Sequence, residues 1–148
     1  MARSSLDIAN AFLALSEPDK GDIISNLKLQ KLLYYAQGYY LALYEERLFN
    51  EDLYAWQYGP VVQEIYHEFK GYGSGAIDVP SDFDFASLSE KELELINDVN
   101  SLYGQYSAVK LMEMTHNEAP WQNTALNQVI SDKLLRDYFV NYVTVEEE

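Results

Sequence analysis

Across LKLQKLLYYAQGYYLALYEE, residues 27–46, apolar positions recur at helical spacing. Leu29, Leu33, Ala36, Tyr40 and Leu43 follow steps of four and three, and Leu32 and Tyr39 widen the stripe. Lys28, Gln30, Lys31, Gln37 and Glu45 take the rest of the circumference, with Tyr34 and Leu41 on that same opposite side. The pattern predicts the central helix of an all-helical core.

Shorter helical patterns flank it. Ser4 or Ser5 caps a first helix to about Ser16, with Leu6, Ala9, Phe12 and Leu13 inward and Glu17-Pro18 as its stop. Ser25 and Asn26 are both good caps for the central helix. RLFNEDLYAWQYG (47–59) has no helical period, and Leu53–Trp56 reads as a short strand paired with residues near Phe49. Pro60 suits the first position of a helix whose Val61, Val62, Ile65, Tyr66 and Phe69 share a face. Residues 71–87, rich in Gly, Asp and Ser, read as an internal surface loop. Ser89-Glu90-Lys91-Glu92 forms a capping box for a helix that stops at Gly104, with Leu93, Ile96 and Leu102 inward. Ser107 opens another helix, through Val109, Leu111, Met112 and Met114; Pro120-Trp121 opens a short one. Ser131-Asp132 caps the last, with Leu134, Leu135, Tyr138 and Phe139 inward, before an acidic frayed tail at 143–148. The fold class is therefore mainly α: one domain of about six helices with a minor β-hairpin, spanning 1–148.

Charge alters the list of partners. The chain carries 24 acidic and 10 basic side chains over 148 residues, a net −14. That field repels phosphate backbones and anionic lipid, so neither nucleic acid nor a membrane is expected as a partner, whereas a basic or neutral protein is steered in. With no cysteine there is no disulfide, thiolate nucleophile or Cys-type zinc site, which fits a reducing cytoplasm. No apolar run has the length of a signal-peptide core or of the roughly 20 residues of a membrane span.

Candidate chemistry is thin. His67 lies on the polar face of the helix expected after Pro60 and reads as a solvated side chain. His116, in MTHNEAPW (114–121), ends one helix just before the next and suits capping. A hydrolase or metal enzyme using His116 with Glu118 is the rival reading, although adjacency in sequence says little about geometry. Two histidines without HExxH spacing give no zinc motif, and GYGSG follows no strand, so no cofactor or metal is expected. Nine of the 13 tyrosines lie from Tyr34 to Tyr72. At helical spacing such rings either pack the core or supply a protein-binding surface.

LKLQKLLYYAQGYYLALY (27–44), LYAWQYGPVVQEIYHEF (53–69), Leu88-Ser89, and Thr115-His116 with Pro120-Trp121 together resemble the Panacea domain family. These are the SocA-like antitoxins, also known as GepA-type phage-associated proteins. The resemblance spans roughly residues 5–140, with Ile65 where the family often has Val. It implies a mostly helical, non-enzymatic domain that neutralises a cognate protein toxin by direct binding, the toxin being encoded beside it in a bacterial or phage genome. Some relatives look like adaptors that hand a toxin to a AAA+ protease, which is the alternative binding role. Residues that are polar-aromatic and lie off the core stripes are the expected partner contacts: Gln30, Lys31 and Tyr34 on the outer side of the central helix, with Tyr58, His116 and Trp121. Trp56 is assigned to the core.

Overall fold

The Ser25 hydroxyl accepts from the Lys28 N–H at 3.2 Å and so caps the central helix α2, Asn26–Tyr44. The structure is a computed structural model and describes residues 2–143. At the far end of α2 Glu45 adopts a left-handed conformation (φ 56°) and donates its N–H to the Leu41 carbonyl, which ends the helix without a glycine. Every residue from Lys28 to Gly38 is buried. An amphipathic helix would leave one side wet; α2 is enclosed by its neighbours on all sides, and its polar residues are internal.

Around it stand α1 (Ser5–Leu15), α3 (Gln63–Phe69), α4 (Glu90–Tyr103), α5 (Ala108–His116), the short α6 (Ala119–Gln122) and α7 (Asp132–Val143). The described residues therefore hold seven α-helices, three short 3-10 turns and one two-stranded antiparallel hairpin, a mainly α fold. The predicted serine caps are present: Ser4 accepts from Asp7 N–H, Ser107 from Lys110 N–H, and Ser131 from Leu134 N–H. Ser89 and Glu92 close a reciprocal capping box. The acidic tail lies, beyond Val143, outside the described residues.

α7 packs along α2 at a very close approach. A Cβ on Gly38 would fall 2.2 Å from the Phe139 ring, so the aromatic occupies the space that any larger residue at 38 would need. Phe139 in turn meets the edges of the Tyr34 and Tyr35 rings at 5.5 and 5.9 Å.

The hairpin differs from the sequence expectation. β1 (Tyr54–Trp56) pairs with β2 (Gly59–Val61), not with residues near Phe49, so Pro60 sits in a strand opposite Ala55 and α3 begins only at Gln63. Pro60 is tolerated because its missing N–H faces no ladder partner at that register. Phe49 instead bridges to Arg3. The other edge of β1 is covered by residues 127–130, through Ala55 N–H to Gln128 O at 2.9 Å and Ile130 N–H to Leu53 O at 2.8 Å. Several stripe residues near helix ends lie outside the core: Leu6, Leu43, Leu102 and Val109 are exposed. Periodicity marks a helix face, but at the ends of these helices no neighbour reaches far enough to cover it. Between α3 and α4 the 71–87 segment is largely exposed, clipped down at buried Ile77, whose N–H donates to Ile24 O at 2.9 Å.

Candidate partner-binding surface

The polar residues of α2 reach sideways into the irregular segments. Gln30 accepts the Val62 N–H at 2.8 Å and donates to Asn26 Oδ1 at 3.0 Å, and Asn26 donates to the Tyr66 carbonyl at 3.1 Å. At the next residue, Lys31 Nζ donates to the Pro60 carbonyl at 3.0 Å. Gln37 accepts the Leu48 and Phe49 N–H groups and donates to Phe49 O. Buried backbone groups must find partners. Here four side chains of one helix satisfy the backbone of the 48–49 turn, the β2 edge and α3 with its N-cap residue.

Three expected contacts are thereby corrected. Gln30, Lys31 and Tyr34 are not on an outer side; their relative exposures are 1%, 0% and 0%. Tyr34 OH donates to Glu118 Oε1 at 2.9 Å, and Tyr35 OH to Glu118 Oε2 at 2.8 Å. The Tyr35 ring stacks on Tyr103 with centroids 3.8 Å apart, and the Tyr103 hydroxyl meets that of Tyr39 at 2.7 Å. Burial and the neighbouring Glu118 hold the Tyr34 and Tyr35 phenols in their protonated, donating form. Burial pushes the Glu118 carboxyl up to about 7, against the two phenol hydrogen bonds that favour its anion. Burial alone pushes the Lys31 ammonium down to about 7.

His116 and Trp121 are half-buried and work as a pair. Their rings lie 4.3 Å apart; His116 Nε2 is 3.0 Å from the Gln57 carbonyl, and Trp121 Nε1 donates to the Trp56 carbonyl at 2.8 Å. Both therefore grip the backbone where β1 enters the two-residue turn Gln57-Tyr58. Gly59, just after it, has φ 106°, and a Cβ there would lie 2.9 Å from both Lys31 Cε and Thr115 Oγ1. Only glycine fits both the conformation and the gap. Glu118 and His116 face different partners, so the pairing that a hydrolase would need is not formed. Among the described residues no group of three or more His, Asp or Glu side chains is placed to hold a metal ion.

A rigid turn thus presents Tyr58, 59% exposed, beside a groove of about 730 Å³. Trp56 and Tyr66, in edge-to-face contact at 5.2 Å, form one wall with Val61; Leu27 and Met112 stand nearby, and Gln30 lies at the floor. Trp56, which the sequence assigns to the core, is half-buried and lines this groove. Tyr66, Leu27 and Met112 carry no signal in sequence beyond helical spacing, since the groove arises where α2, α3, α5 and the hairpin meet.

A family model described as "Antitoxin SocA-like, Panacea domain" matches residues 29–122. The chain belongs to the SocA-like antitoxin family. That span holds both ends of the ties from Gln30, Lys31 and Tyr34 on α2 to Val62, Pro60 and Glu118. Antitoxin SocA of Caulobacter vibrioides (strain NA1000 / CB15N) is 31% identical over 135 residues, covering 78% of this chain and 72% of that protein. No solved structure matches the chain. Membership of the SocA-like family supports an antitoxin role and implies a toxin partner, and it suggests a non-enzymatic protein. Among the described residues no helix is long and apolar enough to cross a membrane.

Proposed function

We propose that this protein is an antitoxin that neutralises a cognate toxin by direct contact, without catalysis, through the face centred on Tyr58. The observation that carries the reading is the family match combined with one exposed aromatic turn held rigid where β1 enters it. His116 and Trp121 hold two carbonyls there, and Gly59 lets the turn lie tight on α2 and α5. A preorganised aromatic loses little conformational entropy on binding, which favours it as an anchor at a protein interface. Gln30, Lys31 and Tyr34 then serve binding indirectly, by fixing the elements that shape the face.

The test is co-expression with the toxin encoded by the neighbouring gene, scored by growth. Wild type should rescue growth in cells with and without their AAA+ proteases. Tyr58→Ala should melt close to wild type, as surface changes do, and lose rescue. Rescue that disappears in the protease-deficient strain replaces direct neutralisation by the adaptor role. Rescue by a folded Tyr58→Ala moves the contact elsewhere on the molecule.

A further inference from the structure

Ser74 lines both the groove beneath Tyr58 and a second hollow of about 680 Å³, so the two meet at the glycine-rich 73–75 turn. Their linings differ. The Tyr58 half is aromatic and aliphatic, with Lys70 as its one charged residue. The other half is mixed, and Lys20, Asp22 and Lys28 are its charged residues.

Together the two hollows carry three of the chain's 10 basic residues and one of its 24 acidic ones. Charges drawn in proportion to the composition would give the reverse, about three acids to one base. Lys28 is buried and uses one of its three ammonium donors on the Gly104 carbonyl at 2.6 Å. Burial lowers the Lys28 ammonium from the ordinary lysine range, and the nearby Asp22 carboxylate acts the other way, favouring its charged form. Lys20 pairs with Glu17 at 3.3 Å, but both side chains are well exposed, at 74% and 60%, and such a pair holds a lysine only weakly. Taken as one trough, the two hollows that share Ser74 thus have a cationic lining in a protein of net charge −14.

We infer that this trough takes an acidic, apolar-anchored segment of the protein partner. This rests on the antitoxin reading and names the chemistry of its contact. The segment's aromatic or leucine side chain sits between Trp56, Tyr58 and Tyr66. Its carboxylates lie toward Lys70, Lys28 and Lys20, across the 73–75 turn. The remaining surface repels an acidic chain, so such a segment gains only by entering the trough in one register, and wrong placements are penalised. Meanwhile the whole-protein field still steers a partner that is neutral or basic overall.

Selection of random peptides displayed on phage against the immobilised full chain tests this without the toxin. Enriched peptides should combine an aromatic or leucine with two or more carboxylates. By fluorescence anisotropy the selected peptides should bind K20E/K70E about tenfold more weakly than wild type, with the protein's melting temperature little changed. Tyr66→Ala should weaken them as well, through the lost anchor wall. Enrichment of basic peptides, no enrichment at all, or binding indifferent to both variants overturns the inference. Growth rescue by the wild-type protein, run in parallel, separates the two levels. Failed selection with intact rescue removes the acidic segment and leaves the antitoxin reading standing. Absent rescue removes the antitoxin reading, whatever the peptides show.

Discussion

Tyr34 is the residue whose placement most changes what a mutation should do. Its ring is fully enclosed, with edge-to-face neighbours Tyr35 at 5.0 Å and Phe139 at 5.5 Å, and its hydroxyl is one of two donors to Glu118. Tyr34→Ala removes the whole ring from a packed site and should cost about 3–5 kcal/mol. That is a large share of the roughly 5–15 kcal/mol typical of a domain, so loss of toxin protection in this variant would report unfolding and not a lost contact. Tyr34→Phe is the sharper probe, because it keeps the packing and deletes only the donor.

The cost of Tyr34→Phe should depend on pH, in a direction fixed by Glu118. With its folded-state value near 7, Glu118 is mostly ionised at pH 8 and mostly protonated at pH 5. A hydrogen bond to a charged group contributes about 1.5–3 kcal/mol and one between neutral groups about 0.5–1.5 kcal/mol. Removing a donor to the anion also raises the folded-state value of Glu118 further, so the folded variant holds its proton to higher pH. The unfolded chain has already released that proton, so the variant loses additional stability as pH rises above 7. Urea unfolding of wild type and Tyr34→Phe at both pH values measures the difference. A larger cost at pH 5 than at pH 8, or a Tyr34→Ala variant destabilised by less than about 1 kcal/mol, would falsify the buried Tyr34–Glu118 contact.

Other substitutions follow from the same interior. Lys31→Met keeps the volume but strands the Pro60 carbonyl, and should cost about 1–3 kcal/mol above pH 7, where the wild-type amine is neutral, in denaturant titrations. Wild type should gain stability between pH 7 and pH 10.5, where the folded lysine is neutral and the unfolded one still charged, and Lys31→Met should lack that rise. Gly59→Ala should cost about 1–3 kcal/mol from backbone strain, plus the clash with Lys31 and Thr115, and speed amide exchange at Val62. Gly38→Ala should cost about 1–3 kcal/mol by overpacking, and Phe139→Leu in the same chain should recover part of it in a double-mutant cycle.

Local chemistry in the sequence was enough to determine the serine-capped helices and their starts, because a serine cap or a capping box acts within one turn of chain and needs no distant partner. The mainly α class and the presence of a minor hairpin were equally legible. Family motifs in α2 and around Gly59 and His116 were legible as well, but not their purpose. Periodicity assigns a residue to a side of a helix and cannot say whether that side meets water or another element. Gln30, Lys31 and Tyr34 read as an outer face, yet the tertiary fold lays the hairpin, α3 and Glu118 against that face. Partners 32, 29 and 84 residues away then satisfy their polar atoms. Pro60 likewise suits a helix start by its fixed φ, and only the pairing of Ala55 across the turn places it in a strand. Tyr58 kept the exposure its sequence position suggested, because a two-residue turn points its side chains away from the elements it joins. The trough beside it belongs to no single stretch. Lys20, Lys28 and Lys70 are isolated cations along the chain, and it is chain folding, bringing the segments after α3 and α4 onto the start of α2, that sets them around two adjoining hollows.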